Sequence, residues 1–335
     1  MSLPPTLDLP ACARALRLRT PRGDFAAHES VPPAGTEVRG TALLVPGFTG
    51  SKEDFIGLLE PLAAAGFRVL AIDGRGQHES DGPPEENAYA QGELARDVLA
   101  QAAAAVEGRR GPAGRLHLLG HSLGGLITRA AVLLDAAPFA SLTIMSSGPA
   151  AITEEQQVRT KLLIDALLVM DMESVWQAMR EYDTRAAAEP ARTGSPEVAD
   201  IADAPEVPDA TGEFLHRRWL GTVPQQLVAT GRQLVTEPDR VAELAAVPLP
   251  FHVVSGAVDF AWPVPLMDEM AERLGARRTV VAGAGHSPNA ERPEETARAL
   301  ADFWASAPTG RAPPSAPRAR SRRRTDARPL PRGCG

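Results

Sequence analysis

A chain of 335 residues with 44% hydrophobic content can bury a large core, as one domain or as one domain carrying an insertion. Its formal charge of −7 is unevenly spread, because residues 307–335 hold eight Arg and one Asp, leaving −14 on residues 1–306 and no basic body to grip nucleic acid. No run of 18 apolar residues occurs, MSLPPTLDLPACARALRLRT lacks an apolar stretch, and Cys12 and Cys334 stand far apart; a membrane span, a secretory leader and a disulfide framework are set aside, and a cytoplasmic location is expected.

In chain order, RALRLRT and GDFAAHES read as a β-hairpin around Pro21-Arg22-Gly23. TALLVPG (41–47) is a buried strand, EDFIGLLEPLAAAG a helix and FRVLAID (67–73) a second buried strand. A helix is expected over about 91–107, then a strand at 115–120 with its own helix, and FASLTIMSS (139–147) is another strand. Beyond residue 243, LPFHVVSGAVD and RRTVVAGAGH each read as strand plus loop, with helices at about 264–274 and 294–305. Such alternation predicts an α/β fold with a mostly parallel sheet covered by helices on both faces. In sheets of this kind, reactive groups gather beyond the carboxyl ends of the strands.

Residues 149–243 break the alternation. TKLLIDALLVMDMESVWQAMREYD (160–183) is strongly helical and apolar, a Pro/Ala/acidic stretch covers 186–210, and a second helical piece runs from TGEFLHRRWL to LVATGRQLV. The organisation expected is a core of 1–148 and 244–306, a helical cap at 149–243, and a disordered Arg/Pro-rich tail at 307–335 that has too little apolar surface to fold. The bland alternative for the cap is a packing helix pair. Its Leu and Met content favours a surface over an apolar pocket, with Leu167 and Met170 as lining candidates.

The stretch LHLLGHSLGGLITRAAVLL (116–134) passes from a strand pattern to a helical one through Gly120-His121-Ser122-Leu123-Gly124. A serine on so tight a turn is strained and pushed into the open, and small residues two places either side let neighbouring chain approach. Five residues alone are weak evidence; the strand before and the helix after give them weight. A serine hydroxyl needs a base. Of seven histidines, His117 and His252 lie within strands, His28 in the hairpin and His216 in the cap. His121 should point away from the Ser122 side, though it stays a candidate pocket residue. His78 follows a strand and remains open as a base. His286, in the loop GAGHSPN after a strand, is the best placed.

The base needs a carboxylate to orient it. Asp259 ends GAVD at the same sheet edge, where its ordinary role would be turn formation ahead of Pro263. Asp73 also follows a strand, but pairing with Arg75 or capping its loop suits it better. Attack on a carbonyl builds negative charge on oxygen, which backbone N–H groups must meet. Leu123 N–H, after the serine, and Phe48 N–H, in PGFTGSKEDF, are the candidates. Gly47, Gly50 and Lys52 lack the spacing of a phosphate-binding loop.

With these residues placed, the chain resembles the α/β-hydrolase fold family over about residues 20–306, the cap being the variable insertion. PGFTGS resembles the oxyanion loop, DGRGQHESDGP the arginine-glycine loop, GHSLGG the nucleophile elbow, and GAVDFAWP and GAGHSP the acid and base loops. The order Ser122, Asp259, His286 is that of such enzymes. Two positions depart from the pattern. Pro46 stands where many members carry His. His78 stands where a second glycine is usual, as a tolerated backbone substitution or as a residue facing substrate.

The resemblance implies a serine hydrolase acting on a small-molecule carboxylic ester with a small or medium apolar acyl group, with His78, His121 and Trp262 near the substrate. Serine rather than aspartate at the elbow argues against dehalogenase-like and epoxide-hydrolase-like chemistry. Peptidase, thioesterase, lactonase and carbon–carbon hydrolase activities stay open, as does a ligand-binding protein without turnover. No cofactor and no metal are expected. For the tail, an arm for polyanions is weighed against a dispensable extension, and the latter is favoured. Deleting residues 308–335 should leave Tm and kcat nearly unchanged, a fall of several degrees in Tm being the contrary result.

Overall fold

The structure is a computed structural model that describes residues 2–188 and 209–307. Its strands are β1 (Ala13–Thr20), β2 (Gly23–Ser30), β3 (Gly40–Val45), β4 (Phe67–Ile72), β5 (Leu116–His121), β6 (Phe139–Met145), β7 (Phe251–Gly256) and β8 (Arg277–Val281). The helices of the first half are α1 (Ile56–Ala64), α2 (Gln91–Val106) and α3 (Leu123–Leu134). Between β6 and β7 come α4 (Glu154–Val169), α5 (Met172–Ala188), α6 (Asp209–Gly221), α7 (Pro224–Thr236) and α8 (Val241–Ala245). The chain ends in α9 (Val264–Leu274), α10 (Pro288–Glu291) and α11 (Pro293–Ser306).

Eight strands form one sheet in the order β1-β2-β4-β3-β5-β6-β7-β8. The β1–β2 hairpin and the β2–β4 pair are antiparallel, and every other pair is parallel. Buried parallel strands read as unbroken apolar runs because both faces are covered, and the alternation survives in which face each residue serves. In β3, Leu43 and Val45 join one core with α2, α3 and α9, whereas Ala42 and Leu44 join another with α1 and α11. Val45 lies opposite Gly120, His121 opposite Met145, Met145 opposite Val254 and Gly256 opposite Val281. The carboxyl ends of β3, β5, β6, β7 and β8 are thereby level, and the loops leaving them converge on one edge.

The inserted helices are divided differently from the two helical pieces expected within the cap. Residues 160–183 do not form one helix: α4 starts six residues earlier, after the N-cap Thr153, and stops before Met170. Asp171 then starts a new helix, accepting hydrogen bonds from Ser174 N–H (2.8 Å) and Ser174 Oγ–H (3.1 Å). The later piece also divides, because Pro224 opens α7 with its ring at a helix N-terminus. Ile164, Leu167, Val175, Trp219, Leu227 and Val228 form a small core within these helices. Residues 189–208 and the tail from residue 308 lie outside the described residues, as do the expectations made for them. Arg129 of α3 anchors the start of the insertion, donating to the carbonyls of Gly148 (2.9 Å) and Pro149 (3.0 Å).

Two histidines of the strands are packed in the interior. His117 stacks on Trp304 and bonds Ser141 Oγ at 2.8 Å; His252 rests on Phe303 and bonds Thr279 Oγ1 at 2.8 Å. Burial pushes both imidazoles down to about 3. The folded state therefore keeps them neutral while the unfolded chain takes up protons below its ordinary histidine value of about 6.5. Stability from these sites is complete above that value and falls as pH drops toward 3, by up to about 1.4 kcal/mol per pH unit for each histidine. Unfolding at pH 5 should accordingly take up protons, and His252→Gln should take up about one fewer. A slope unchanged by that substitution would contradict the reading.

Candidate active site

Ser122 stands between β5 and α3 with φ 53° and ψ −119°, in the region that disfavours side chains. The turn is held by Ser122 N–H donating to Met145 O (2.9 Å) and Gly125 N–H donating to Ser122 O (2.8 Å). Its glycines are steric requirements. A Cβ at Gly120 would strike the Gly124 carbonyl, and one at Gly124 would strike the carbonyls of Val45 and Pro46. With both absent, α3 can start directly over the sheet and aim the serine side chain outward.

The loops after β7 and β8 bring two partners to it. His286 Nε2 lies 3.0 Å from Ser122 Oγ, and His286 Nδ1 lies 2.8 Å from Asp259 Oδ2. Asp259 makes contacts on two sides. Its Oδ1 accepts from the N–H groups of Ala261 (2.8 Å) and Trp262 (3.0 Å), forming the turn, while Oδ2 meets His286. A carboxylate can only accept there, so Nδ1 carries the proton and Nε2 offers its lone pair to the serine hydroxyl.

The His286 loop is fixed from several sides. Glu291 accepts from Gly285 N–H (2.5 Å) and Ser287 N–H (2.9 Å). His121 does not stand clear of this side: its Nε2–H donates to the His286 carbonyl at 2.8 Å. Burial pushes His121 down to about 4, so it stays a neutral donor near pH 7. Phe260 and Trp262 pack their rings on His286 at centroid distances of 4.6 and 6.4 Å.

The loop after β3 closes the opposite side. Gly47 comes so near that a Cβ there would lie 3.1 Å from Ser122 Cβ. Phe48 lies next to it and lines the cavity beside Ser122, and Leu123 is the first residue of α3, whose N–H has no acceptor within its own helix. The candidate oxyanion donors therefore stand on either side of the serine, Phe48 in the loop after β3 and Leu123 at the start of α3. Gln77 Nε2–H donates to Gly47 O at 2.9 Å. Asp73 pairs with Lys52 rather than Arg75: it accepts from Lys52 N–H (2.7 Å) and Nζ (3.0 Å), whereas Arg75 forks onto Asp97. Lys52 Nζ also meets Glu53 (2.8 Å) and Glu79 (2.9 Å). Burial disfavours its charge, yet Asp73 and Glu53 hold the ammonium above the usual lysine range.

A cavity of about 520 Å³ opens over Ser122 and His286. Phe48, Ile152, Leu234, Phe260 and Ala261 give it apolar walls, and Gln156 and Thr160 of α4 face it as well. His121 is among its lining residues, but four other pocket candidates are not. Leu167 belongs to the small core of the inserted helices, and Met170 is exposed at the α4–α5 break. Trp262 lies behind His286, its indole N–H donating to Ala150 O at 2.8 Å. His78 takes φ 46°, so it is the backbone substitution at the glycine position, and its ring packs edge-on to Phe214 rather than toward the cavity. The wall residues Ile152 and Leu234 carry no motif, and Phe260 lies in the acid loop GAVDFAWP, directly after Asp259. Among the described residues, no group of three or more His, Cys, Asp or Glu could hold a metal ion, and no helix is long and apolar enough to cross a membrane.

A family model described as "Alpha/beta hydrolase family" matches residues 42–299, and the chain belongs to that family. RutD of Variovorax paradoxus (strain S110), a protein named for carbamate hydrolysis, is 35% identical over 120 residues, 34% of this chain. The match spans 42% of RutD's own length. Among solved structures, a carboxylesterase of the thaumarchaeon Nitrososphaera gargenis aligns with TM-score 0.63 and 18% identity, over 87% of this chain and 98% of that one. The thermophilic esterase of Thermogutta terrifontis aligns with TM-score 0.62 and 21% identity, over 87% and 97%. The enol-lactonase of Burkholderia xenovorans LB400 gives TM-score 0.62 and 18% identity, over 86% and 99%. These structural likenesses show the fold. The family match makes the chain a hydrolase of α/β fold.

The Lys52 cluster supports the loop after β3 from within. Lys52→Met would leave Asp73 and Glu53 buried without their cation, a change that costs about 3–5 kcal/mol. Denaturant unfolding should show a loss of that size, and a loss below about 1 kcal/mol would show that the cluster is well solvated.

Proposed function

We propose that the chain is a cytoplasmic serine hydrolase that cleaves a small-molecule carboxylic ester with a small or medium apolar acyl group, through an acyl-enzyme on Ser122. The observation that carries this reading is the unbroken hydrogen-bond line from Asp259 through His286 to Ser122 Oγ, at 2.8 and 3.0 Å, facing a cavity. His286 Nε2 takes the hydroxyl proton as Ser122 Oγ attacks the ester carbonyl, and Asp259 stabilises the imidazolium. Phe48 N–H and Leu123 N–H meet the charge on the carbonyl oxygen. The imidazolium then protonates the departing alkoxide. Water, deprotonated by His286, releases the acid and restores the serine. Every step uses groups of this chain, with no cofactor and no nucleic-acid partner for the core.

The acyl preference rests on Phe48, Ile152, Leu234 and Phe260. A carbamate is a second reading, favoured by the similarity to RutD; it would pass through the same serine. The 28-residue basic tail has no part in this chemistry.

Two measurements test the proposal. A fluorophosphonate should label Ser122, and Ser122→Ala should fold normally with nearly all ester hydrolysis lost; Asp259→Asn and His286→Ala should each lose on the order of 10³ to 10⁴ in kcat/KM. Labelling elsewhere, or a mild Asp259→Asn, would refute the assignment. In a p-nitrophenyl ester series, kcat/KM should rise nearly fourfold per methylene from acetate toward butyrate or hexanoate, at about 0.8 kcal/mol each, and then fall for long chains. Carbamates and aminopeptidase substrates belong in the same panel. Rates flat from acetate to palmitate, or preference for a peptide amide, would contradict the apolar acyl pocket.

A further inference from the structure

The cavity has a wall that comes from the far end of the chain. Ser2 and Leu3 line it together with Asp54, Ser287 and Glu291, although nothing in their local sequence marks them for a site. The segment is tied down on both sides of the opening. Ser2 Oγ–H donates to Ser287 Oγ at 2.9 Å, one residue beyond His286. Ser2 O accepts from Arg218 Nη2–H at 3.0 Å, and Arg218 belongs to α6 of the inserted helices. Arg218 is itself immobilised: it is 1% exposed, its Nη1 donates to Asp54 Oδ1 at 2.7 Å, and its guanidinium lies over the Phe214 ring. Pro4 is buried and Pro5 reaches toward α1 beside Gly57, so the chain enters the site from a fixed base. Leu3, 46% exposed, stands at the mouth.

We propose that Ser2 and Leu3 form a strap that closes the end of the cavity beside the His286 loop and limits the length of the substrate group lying there. The inference rests on the reading of Ser122 as the reacting serine. The bond to Ser287 joins the strap to the core loop that carries His286, and the bond to Arg218 joins it to the inserted helices. Ser2 is thus tied to both neighbours, and the buried Pro4 holds the chain on the other side of Leu3. Leu3, fixed between them, supplies the apolar bulk that a longer chain would have to displace. With residues 2 and 3 gone, Arg218 keeps Asp54, the loop at Ser287 keeps Glu291, and the cavity opens at that end. Lengthening the available groove by room for two methylenes raises the preference for a longer chain by about 15-fold, at nearly fourfold for each.

The test uses phosphonylation of Ser122 in the full chain by two fluorophosphonates, one ethyl and one dodecyl, so that no ester need be hydrolysed for the cavity to be measured. Deleting residues 2 and 3 should raise the dodecyl-to-ethyl rate ratio tenfold or more. Leu3→Trp should lower the ratio and Leu3→Gly should raise it; these two variants keep the strap's hydrogen bonds and carry the test should the deletion fold poorly. A ratio within twofold of the parent in both Leu3 variants overturns the strap. Labelled Ser122 in a chain that hydrolyses no ester, carbamate or amide would refute the function proposed above, while a shifted ratio would still sustain the strap.

Discussion

A serine at φ 53° cannot exist in open chain at low cost; it survives where everything around it is packed too closely to let the backbone relax. Here the closeness is supplied by glycines. Gly120 lets the Gly124 carbonyl approach, Gly124 lets β3 approach, and Gly47 comes against the serine side chain from the oxyanion-side loop. The same packing sets Gly47, and with it Phe48, beside Ser122, while Leu123 follows the serine as the first residue of α3. Strain at Ser122 and the close approach of the loop after β3 are therefore one arrangement, and a side chain at any of those glycines would disturb both.

The rest of the candidate site follows from level strand ends. Because Met145 lies opposite both His121 and Val254, and Gly256 opposite Val281, the loops bearing Asp259 and His286 start close to Ser122. The short distances that remain are set by side chains with two duties. Asp259 closes a turn with one oxygen and holds His286 with the other; Glu291 gathers two amides of the histidine loop; His121 reaches from beside the serine to the His286 carbonyl. Opposite them, Lys52 and Asp73 brace the loop of Phe48.

What could be read from the sequence was what leaves a periodic or local mark. Buried strands such as TALLV and FRVLAI show as apolar runs, and the elbow shows as glycines about a serine between two periods. Asp259 and His286 could be found because strand-end loops are few. The cavity walls left no such mark. Leu167 and Met170 were plausible for their chemistry, yet the break capped by Asp171 leaves Met170 exposed, and Leu167 packs within the inserted helices. Ile152 and Leu234 line the cavity from places with no local signature, and Phe260 does so from within the acid loop, where the motif marks Asp259 but not its neighbour. The Lys52–Asp73 pair joins the segments after β3 and β4, 21 positions apart, and Ser2 reaches Ser287 across 285 positions. Pairings over such separations depend on topology rather than on neighbours in sequence.

The central claim is that Ser122 carries the acyl group during turnover. Rapid-quench mass spectrometry of the protein mixed with p-nitrophenyl butyrate tests it most directly. A butyryl adduct is expected on the peptide containing Ser122, formed at the rate of the first p-nitrophenol release and decaying at the rate of turnover. Turnover with no adduct on that peptide, or with the adduct on another residue, would contradict it.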